Sequence, residues 1–224
     1  MNRLAVFDCD GTLVDSGATI VATVAEAFSE HCVAIPPAEL CRGVIGLSLV
    51  EAMAKLAPDA GPDDHVRYAE TYKGCFFRAR QEGRVDEPLF DGVLDLLDSL
   101  ERDGWLLAVA TGKSDRGLRH CLEKHDIHAR FVSLQTADRH PSKPDPSMVL
   151  QAMAEAGRDP GETIVIGDTA FDMGMAKGAG AAALGAGWGY HDAAELLAGG
   201  ADAVADRPHS VLPLLARLME RTNG

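Results

Sequence analysis

Two aspartates, Asp8 and Asp10, stand two residues apart in the segment FDCDGTLVDS, directly after an apolar run. Side chains two residues apart on a strand point to the same side, so both carboxylates can face one pocket. Neighbouring carboxylates repel each other, and the repulsion is relieved when one of them holds a proton or when a cation lies between them. The pair therefore indicates acid–base or metal chemistry, although Asp-Gly by itself is more often a turn.

Three later segments place polar side chains where other strands should end. VATGKS ends a strand-like run, SKPDP precedes a helical segment, and VIGDTAFD carries two acids four residues apart. Each has an ordinary alternative when taken alone: Thr111 as a strand-end hydroxyl, Lys143 as a solvated lysine, Asp168 as a helix N-cap. Together they predict one site at the carboxyl ends of the strands, where open α/β sheets bind ligands. The candidate residues of this site are Asp8, Asp10, Thr111, Lys143, Asp168 and Asp172.

Short apolar runs alternate with helical patterns over most of the chain. Several runs are continuously apolar, which is typical of strands buried on both faces. This alternation predicts an α/β fold with a doubly wound parallel sheet. The predicted strands are Leu4–Phe7, Leu106–Ala110, Phe131–Leu134, Thr163–Ile166, Ala181–Leu184 and Ala201–Ala205, and the predicted helices around them are Gly92–Arg102, Asp145–Ala156, Thr169–Lys177 and Val211–Met219.

One region, from about residue 17 to residue 84, contains no predicted strand. Its apolar spacing predicts helices over Thr19–Phe28, Leu47–Leu56 and Asp64–Arg80, separated by proline-containing turns. We therefore expect an all-helical domain at residues 16–85, inserted into a core domain made of residues 1–15 and 86–224.

Composition narrows the functional classes. The chain has 34 acidic residues against 21 lysines and arginines, a formal net charge of −13, which argues against nucleic-acid and anionic-membrane partners. Its five cysteines form no C-x-x-C pair, so neither a zinc site nor a disulfide framework is indicated. A reducing, cytoplasmic setting is the expectation, and the longest apolar stretches are too short to span a membrane.

The four polar segments resemble the signature motifs of the haloacid dehalogenase-like hydrolase superfamily. D-x-D-G-T from Asp8 resembles the first motif, Thr111 the second, Lys143 the third, and G-D-x-x-x-D from Gly167 the fourth. The helical insertion resembles the cap of the subfamily that includes phosphoglycolate phosphatase. The resemblance implies a Rossmann-like core with a helical cap domain.

The resemblance also implies roles for these residues. Asp8 would attack phosphorus and form an aspartyl-phosphate, and Asp10 would protonate the leaving oxygen and then take a proton from the attacking water. Lys143 would pair with Asp8 and the phosphoryl group. The phosphoryl oxygens would be held by Thr111 and by the backbone amides of Gly112 and Lys113.

A magnesium ion is the implied cofactor, because a hard cation with oxygen ligands offsets the repulsion between a phosphate dianion and a carboxylate. By similarity its ligands would be Asp8, the backbone carbonyl of Asp10, and Asp168, with Asp172 binding through water or orienting the site.

The expected function is hydrolysis of a small phosphorylated metabolite, with phosphoglycolate phosphatase the most similar activity. Two alternatives stay open: a phosphosugar mutase like β-phosphoglucomutase, and a non-catalytic phospho-acceptor like receiver modules. By resemblance, a β-phosphoglucomutase would have an arginine near the Gly46 turn to hold the second phosphate. Residues 47–50, which follow Gly46, contain no Lys or Arg, and this disfavours the mutase. Arg42 is the first candidate of the helical region for contacting substrate, and the protein is expected to be a monomer or homodimer.

Overall fold

Six parallel strands form a single sheet in the order β3-β2-β1-β4-β5-β6. The computed structural model describes residues 3–221. The strands are β1 (Leu4–Phe7), β2 (Leu106–Thr111), β3 (Phe131–Thr136), β4 (Thr163–Gly167), β5 (Ala182–Ala186) and β6 (Ala203–Ala205). The predicted doubly wound parallel sheet is confirmed.

The first strand lies in the middle of the sheet. In register, Phe7 of β1 is opposite Val109 of β2 on one side and Ile166 of β4 on the other. The strand order reverses at β1, and the carboxyl ends of β1, β2 and β4 are therefore neighbours. An open parallel sheet binds its ligands at such a reversal point.

Helices cover both faces of the sheet because alternate residues of the buried strands point to opposite sides. On one face Phe7 and Ile166 pack against α5 (Val93–Arg102), α6 (Asp115–Lys124) and α10 (Val211–Arg221). On the other face Val6 and Val165 pack against α7 (Ser147–Ala156), α8 (Ala170–Gly178) and α9 (Ala193–Ala198).

Residues 17–81, here called the helical insert, contain helices and turns between β1 and β2. Its helices are α1 (Gly17–Glu30), α2 (Ala38–Arg42), α3 (Leu49–Leu56) and α4 (Pro62–Gln81). The insert has its own apolar cluster, in which Phe28 of α1, Met53 of α3 and Tyr68 of α4 meet. This cluster is separate from the two clusters that flank the sheet.

The structure differs from the sequence-based elements mainly at their ends. Gly112 and Lys113 precede α6, which begins at Asp115 because the Ser114 hydroxyl accepts a hydrogen bond from the Gly117 amide and caps the helix there. The short helices α2 and α9 were not predicted. Within residues 3–221 none of the helices combines the length and apolarity needed to cross a bilayer.

Candidate active site

Asp8 follows β1 directly and is continuous with the sheet, since its backbone N–H donates to the Ile166 carbonyl at 2.9 Å. Its side chain is buried, with 1% exposure for the residue. Asp8 Oδ1 accepts from Lys143 Nζ at 2.9 Å and from the Cys9 amide at 2.6 Å. Asp8 Oδ2 is buried and has no hydrogen-bond partner. One carboxylate oxygen is therefore held in place while the other is free to bind.

Gly11 makes the turn that brings the end of β1 against β4. Its φ is +84°, in the region that favours glycine, and a Cβ at this position would lie 2.1 Å from Asp168 Oδ2. A side chain at position 11 is thus excluded both by the backbone conformation and by Asp168. The glycine of the D-x-D-G-T segment lets two acidic segments approach each other.

Asp10 faces the same site from the other side of Cys9 and is 6% exposed. Its Oδ1 accepts from the Ser16 hydroxyl and lies 2.9 Å from Lys113 Nζ. Lys113 also donates to Glu87 Oε1 at 2.6 Å. Burial alone would lower the pKa of Lys113, but the charges of Asp10 and Glu87 outweigh it and raise that pKa well above its usual range. Lys113 is therefore a permanent cation beside Asp10.

Glu87 lies in the segment that returns from the helical insert, and its side chain is fully buried. Burial would raise the pKa of Glu87, but the charges of Lys113, Arg80 and Lys124 and the hydrogen bond from Lys113 together lower it. The other carboxylate oxygen, Oε2, lies 3.6 Å from Arg80 Nη2 of α4. Glu87 therefore links the active site to the helical insert.

Lys143 lies between two acids, with Nζ 2.6 Å from Asp172 Oδ1 and 2.9 Å from Asp8 Oδ1. Burial would lower the pKa of Lys143, yet Asp172 and Asp8 raise it above its usual range. Asp172 itself is held by the start of α8, where Thr169 donates to Asp172 Oδ2 from its amide at 3.0 Å and from its hydroxyl at 2.7 Å. The helix N-cap is Thr169, not Asp168, and the side chain of Asp168 projects to the site instead.

Asp168 is completely buried at the end of β4. Its Oδ1 accepts from the Thr12 hydroxyl at 3.0 Å, and its Oδ2 accepts from the Tyr190 amide at 2.9 Å. Burial, together with the charges of Asp172 and Asp8, raises the pKa of Asp168 well above its usual range. A buried carboxyl group with this environment is strongly stabilised by a cation.

The donor set fits a divalent metal ion. Asp8, Asp168 and Asp172 each offer a carboxylate oxygen within 4.8 Å of the others, and all three residues are buried. Burial raises the pKa of Asp8 to about 7 against the opposing effect of Lys143. The unpartnered Asp8 Oδ2 is the kind of oxygen that Mg²⁺ prefers. The carboxylate of Asp10 lies outside this cluster, which leaves its backbone carbonyl as the predicted ligand.

Thr111 ends β2 within this arrangement and is 1% exposed. Its Oγ1 accepts from the Lys113 amide at 3.3 Å. Gly112, next along the chain, lies against the helical insert, because a Cβ there would be 2.5 Å from the Leu47 carbonyl oxygen. The predicted phosphoryl-binding segment is thus in contact with the insert.

Residues 43–48 of the helical insert, here called the insert loop, lie directly over the candidate nucleophile. A Cβ on Gly46, which has φ +96°, would be 3.7 Å from Asp8 Oδ2. The Ser48 amide donates to the Ser142 hydroxyl at 2.9 Å, next to Lys143. The insert therefore covers the carboxyl ends of the strands.

A cavity of about 320 Å³ lies between the helical insert and the carboxyl ends of the strands. Asp10, Gly112 and Lys113 line it from the core side, together with apolar side chains of the insert. Arg42 is exposed at the end of α2 and does not line this cavity. Arg80 of α4 does line it.

The structure thus brings together Asp8, Lys143, Asp168 and Asp172, with Asp10 and Lys113 in contact beside them and Thr111 and Gly112 at the end of the neighbouring strand. The catalytic and binding roles of these residues stay predictions. Sequence analysis gave no role to Thr12, Ser16, Glu87 or Tyr190. Thr12 could have been found, since it belongs to the D-x-D-G-T segment. No spacing or motif marks the other three, which reach the site through the tertiary fold.

The model of the family described as haloacid dehalogenase-like hydrolase matches residues 5–186. A protein of Dickeya dadantii named probable phosphatase IndB is 34% identical over 208 residues, which cover 92% of this chain and 90% of that protein. A phosphoglycolate phosphatase of Pseudomonas putida is 31% identical over 94% of this chain and 79% of that protein. The crystal structure of a hydrolase from Pseudomonas syringae has a TM-score of 0.84 and 25% identity, covering 96% of this chain and 99% of that one.

Proposed function

The chain belongs to the haloacid dehalogenase-like hydrolase family, and from this premise we propose that it is a Mg²⁺-dependent phosphomonoester hydrolase acting through an aspartyl-phosphate. The family's phosphatases give the reaction class. The observation that carries the proposal is the asymmetry of Asp8, whose Oδ1 is held by Lys143 at 2.9 Å while its buried Oδ2 has no partner.

In the first step, Asp8 Oδ2 forms a bond to phosphorus as the bond to the ester oxygen breaks. Asp10 donates its proton to the departing oxygen, so the alcohol leaves neutral. Lys143, fixed by Asp172 at 2.6 Å, keeps the attacking carboxylate in position and offsets its charge. The phosphoryl oxygens are held by Thr111 and the amides that follow it.

In the second step, the ionised Asp10 takes a proton from water as the water attacks phosphorus and the bond to Asp8 breaks. Phosphate leaves, and Asp10 is again protonated. Asp8, Asp168 and the backbone carbonyl of Asp10 would hold Mg²⁺, with Asp172 orienting Lys143 and the site. When bound, the ion offsets the repulsion between the phosphate dianion and the carboxylates.

The helical insert, in this proposal, is a cap domain of residues 16–85 that covers the site and contacts the leaving group. Its separate apolar cluster and the position of the insert loop above Asp8 support this division. We further propose that the substrate is a small phosphorylated metabolite. Phosphoglycolate, named for the Pseudomonas putida relative, is the first substrate to test.

Rapid acid quench of turnover with ³²P-labelled substrate tests the proposal. Label should appear on the protein, map to Asp8, and disappear on reaction with hydroxylamine. Release of many equivalents of phosphate distinguishes an enzyme from a receiver-like protein that retains one equivalent. Transfer of the label to sugar phosphate rather than to water would identify a mutase.

Two controls define the chemistry. Asp8→Asn should abolish both label and turnover, a loss on the order of 10⁴-fold or more for a covalent nucleophile. Removal of metal with EDTA should stop phosphate release, and Mg²⁺ should restore it. Full activity in the presence of EDTA would refute the proposed Mg²⁺ dependence. Passage of the ³²P label to solvent with no protein-bound species would refute the assignment of Asp8 as the nucleophile.

A further inference from the structure

The cavity between the helical insert and Asp10 has a chemical character that identifies the leaving group. The inference about the leaving group rests on the proposed function in one respect. If Asp10 protonates the departing oxygen, the rest of the alcohol must extend from Asp10 into the cavity that Asp10 lines. That space has a volume of about 320 Å³, within the roughly 300–1,000 Å³ range of small-molecule sites. A two-carbon acid would leave most of it unfilled.

The wall opposite Asp10 is apolar. It is built from three helices of the insert, so no one segment of the sequence displays it. Its apolar side chains include Ile20, Val24, Leu49, Met53, Tyr72 and Phe76. A surface of this kind gains free energy by covering hydrocarbon or ring atoms and gains none from a charged group.

Four basic side chains also line the cavity, those of Lys73, Arg80, Lys113 and Arg116. Lys113 is paired with Asp10 and Glu87, at 2.9 Å and 2.6 Å. Arg80 lies 3.6 Å from the second oxygen of Glu87 and is stacked over the Phe76 ring at 5.1 Å. Lys73 pairs with Glu70 at 2.7 Å, and Arg116 is stacked over the Phe77 ring at 4.8 Å. Three of these four cations have an acidic partner, so the apolar wall is the feature that distinguishes this cavity.

Arg80 contributes to the cavity through its contact with Phe76 rather than through free hydrogen-bond donors. Its Nε and Nη2 are buried from water, so a leaving group in the cavity cannot reach them either.

We propose that the preferred substrate is the phosphomonoester of an uncharged alcohol with an apolar, ring-sized body, rather than phosphoglycolate, which has no apolar group to cover the wall. The wall of α1, α3 and α4 selects the body of the alcohol. The core residues hold the phosphoryl group in the same way for every substrate.

The test compares three esters of primary alcohols: ethyl phosphate, 2-phenylethyl phosphate and 2-phosphoglycolate. Ethanol and 2-phenylethanol are similar leaving groups, so a difference in kcat/KM between their esters reports contact with the ring. With Mg²⁺ present, 2-phenylethyl phosphate should exceed both other esters at least tenfold. Equal values, or a preference for 2-phosphoglycolate, would overturn the inference while leaving phosphatase activity established.

Binding is measured in parallel with the matching phosphonates, which cannot be hydrolysed. They are propylphosphonate, 3-phenylpropylphosphonate and 3-phosphonopropionate, and calorimetry gives each Kd in the presence of Mg²⁺. The phenyl compound should bind at least tenfold more tightly than the other two. If this order holds but none of the three esters is hydrolysed, the proposed reaction fails and the inferred binding preference stands; if the order is absent, the inference fails.

Matched variants locate the effect in the cavity. Leu49→Gln places an amide on the apolar wall, whereas Val50→Gln makes the same kind of change on an exposed side chain of the same helix, outside the cavity. Leu49→Gln should reduce the preference for the phenyl ester at least fivefold, and Val50→Gln should leave it unchanged. Ile20→Gln gives a second test on α1 if Leu49→Gln folds poorly. An unchanged preference in folded Leu49→Gln and Ile20→Gln would place the selective surface elsewhere and overturn the assignment.

Discussion

Lys113 donates from Nζ to Glu87 Oε1 at 2.6 Å, in a contact between the loop after β2 and the segment that leaves the helical insert. The Glu87 side chain is fully buried, and that of Lys113 is 9% exposed. The same nitrogen is 2.9 Å from Asp10 Oδ1. The position of the cation beside the candidate acid–base residue therefore depends on a carboxylate from outside the signature motifs.

Glu87→Gln should destabilise the protein and reduce its activity. The amide keeps the shape of the side chain but removes one charge from a buried pair, and breaking such a pair costs about 3 kcal/mol. Denaturant unfolding measures the loss. Because Lys113 then loses a partner, kcat/KM should also fall, by about tenfold.

Glu82→Gln is the matched control, since Glu82 lies in the same connecting region but is 56% exposed and pairs with Arg84 at the surface. Its effect on the free energy of unfolding should be within about 0.5 kcal/mol. Equal stability of the two variants would mean that the buried pair does not contribute as described.

Gly11→Ala should lower the free energy of unfolding much more than a substitution at a glycine where only the backbone conformation is unfavourable. At Gly11 a Cβ meets Asp168 Oδ2 at 2.1 Å, in addition to the positive φ. At Gly83, with φ +69°, a Cβ meets nothing within 4 Å. Gly83→Ala should cost about 1–2 kcal/mol for the left-handed conformation alone.

Gly11→Ala should exceed that cost and also weaken Mg²⁺ binding, since Asp168 must move. Chemical unfolding and calorimetric titration with Mg²⁺ measure the two effects. If Gly11→Ala matched Gly83→Ala in stability and kept wild-type Mg²⁺ affinity, the close approach of Gly11 to Asp168 would be contradicted.

Asp10→Asn should slow the reaction in a manner that depends on the leaving group. Loss of a general acid–base residue reduces rates by about 10²–10⁴-fold. An alkyl ester needs a proton on its leaving oxygen, whereas p-nitrophenolate leaves without one. The phosphoenzyme should therefore accumulate with p-nitrophenyl phosphate, because water attack still lacks its base.

Quenched-flow measurement of protein-bound phosphate checks this prediction. Wild type under the same conditions provides the comparison. Equal loss of rate for alkyl and p-nitrophenyl esters, with no phosphoenzyme accumulation, would remove Asp10 from the acid–base role.

Metal-free protein should lose stability as the pH rises from about 4 to about 7. Burial raises the pKa of Asp8 to about 7 in the folded state, whereas the pKa of an unfolded aspartate is about 4. In this window the folded state holds a proton that the unfolded state has released, so the free energy of unfolding decreases with pH. Thermal unfolding in EDTA should show the decrease.

Asp8→Asn is the control for the titration, because it replaces the titrating carboxyl group with an amide that is also polar and of similar shape but does not titrate. Its Tm should fall less than that of wild type over the same pH range. Mg²⁺ should stabilise wild type more at about pH 7.5 than at about pH 5, since metal binding competes with protons for the carboxylates. A wild-type slope equal to that of Asp8→Asn would exclude Asp8 as the titrating group.

The strands and the doubly wound sheet could be predicted from the sequence, because the strands are short, continuous apolar runs that alternate with helical patterns. Leu4–Phe7 was predicted with its observed bounds, and the polar residues that end the strands marked the site. The strand order was not predicted, because the pairing of β1 with both β2 and β4 joins segments that are distant in the chain.

Other features could not be predicted because they arise from segments that are distant in the chain. Glu87 acquires its role from Lys113 of the core and Arg80 of α4, and nothing in its own neighbourhood marks it. The cavity wall combines α1, α3 and α4, whose apolar residues were recognised only as helix faces. Helix α2 has five residues, too few for its apolar spacing to be recognised.

The central position of β1 has a consequence for how the protein is made. This strand is synthesised well before its neighbours on the two sides, which begin at residues 106 and 163. Helices of the insert meet one another over much shorter stretches of chain, and local contacts of that kind form early. We expect residues 17–81 to be compact in nascent chains in which Asp8 still has no sheet around it, so catalytic competence should arise only after β4 has been synthesised.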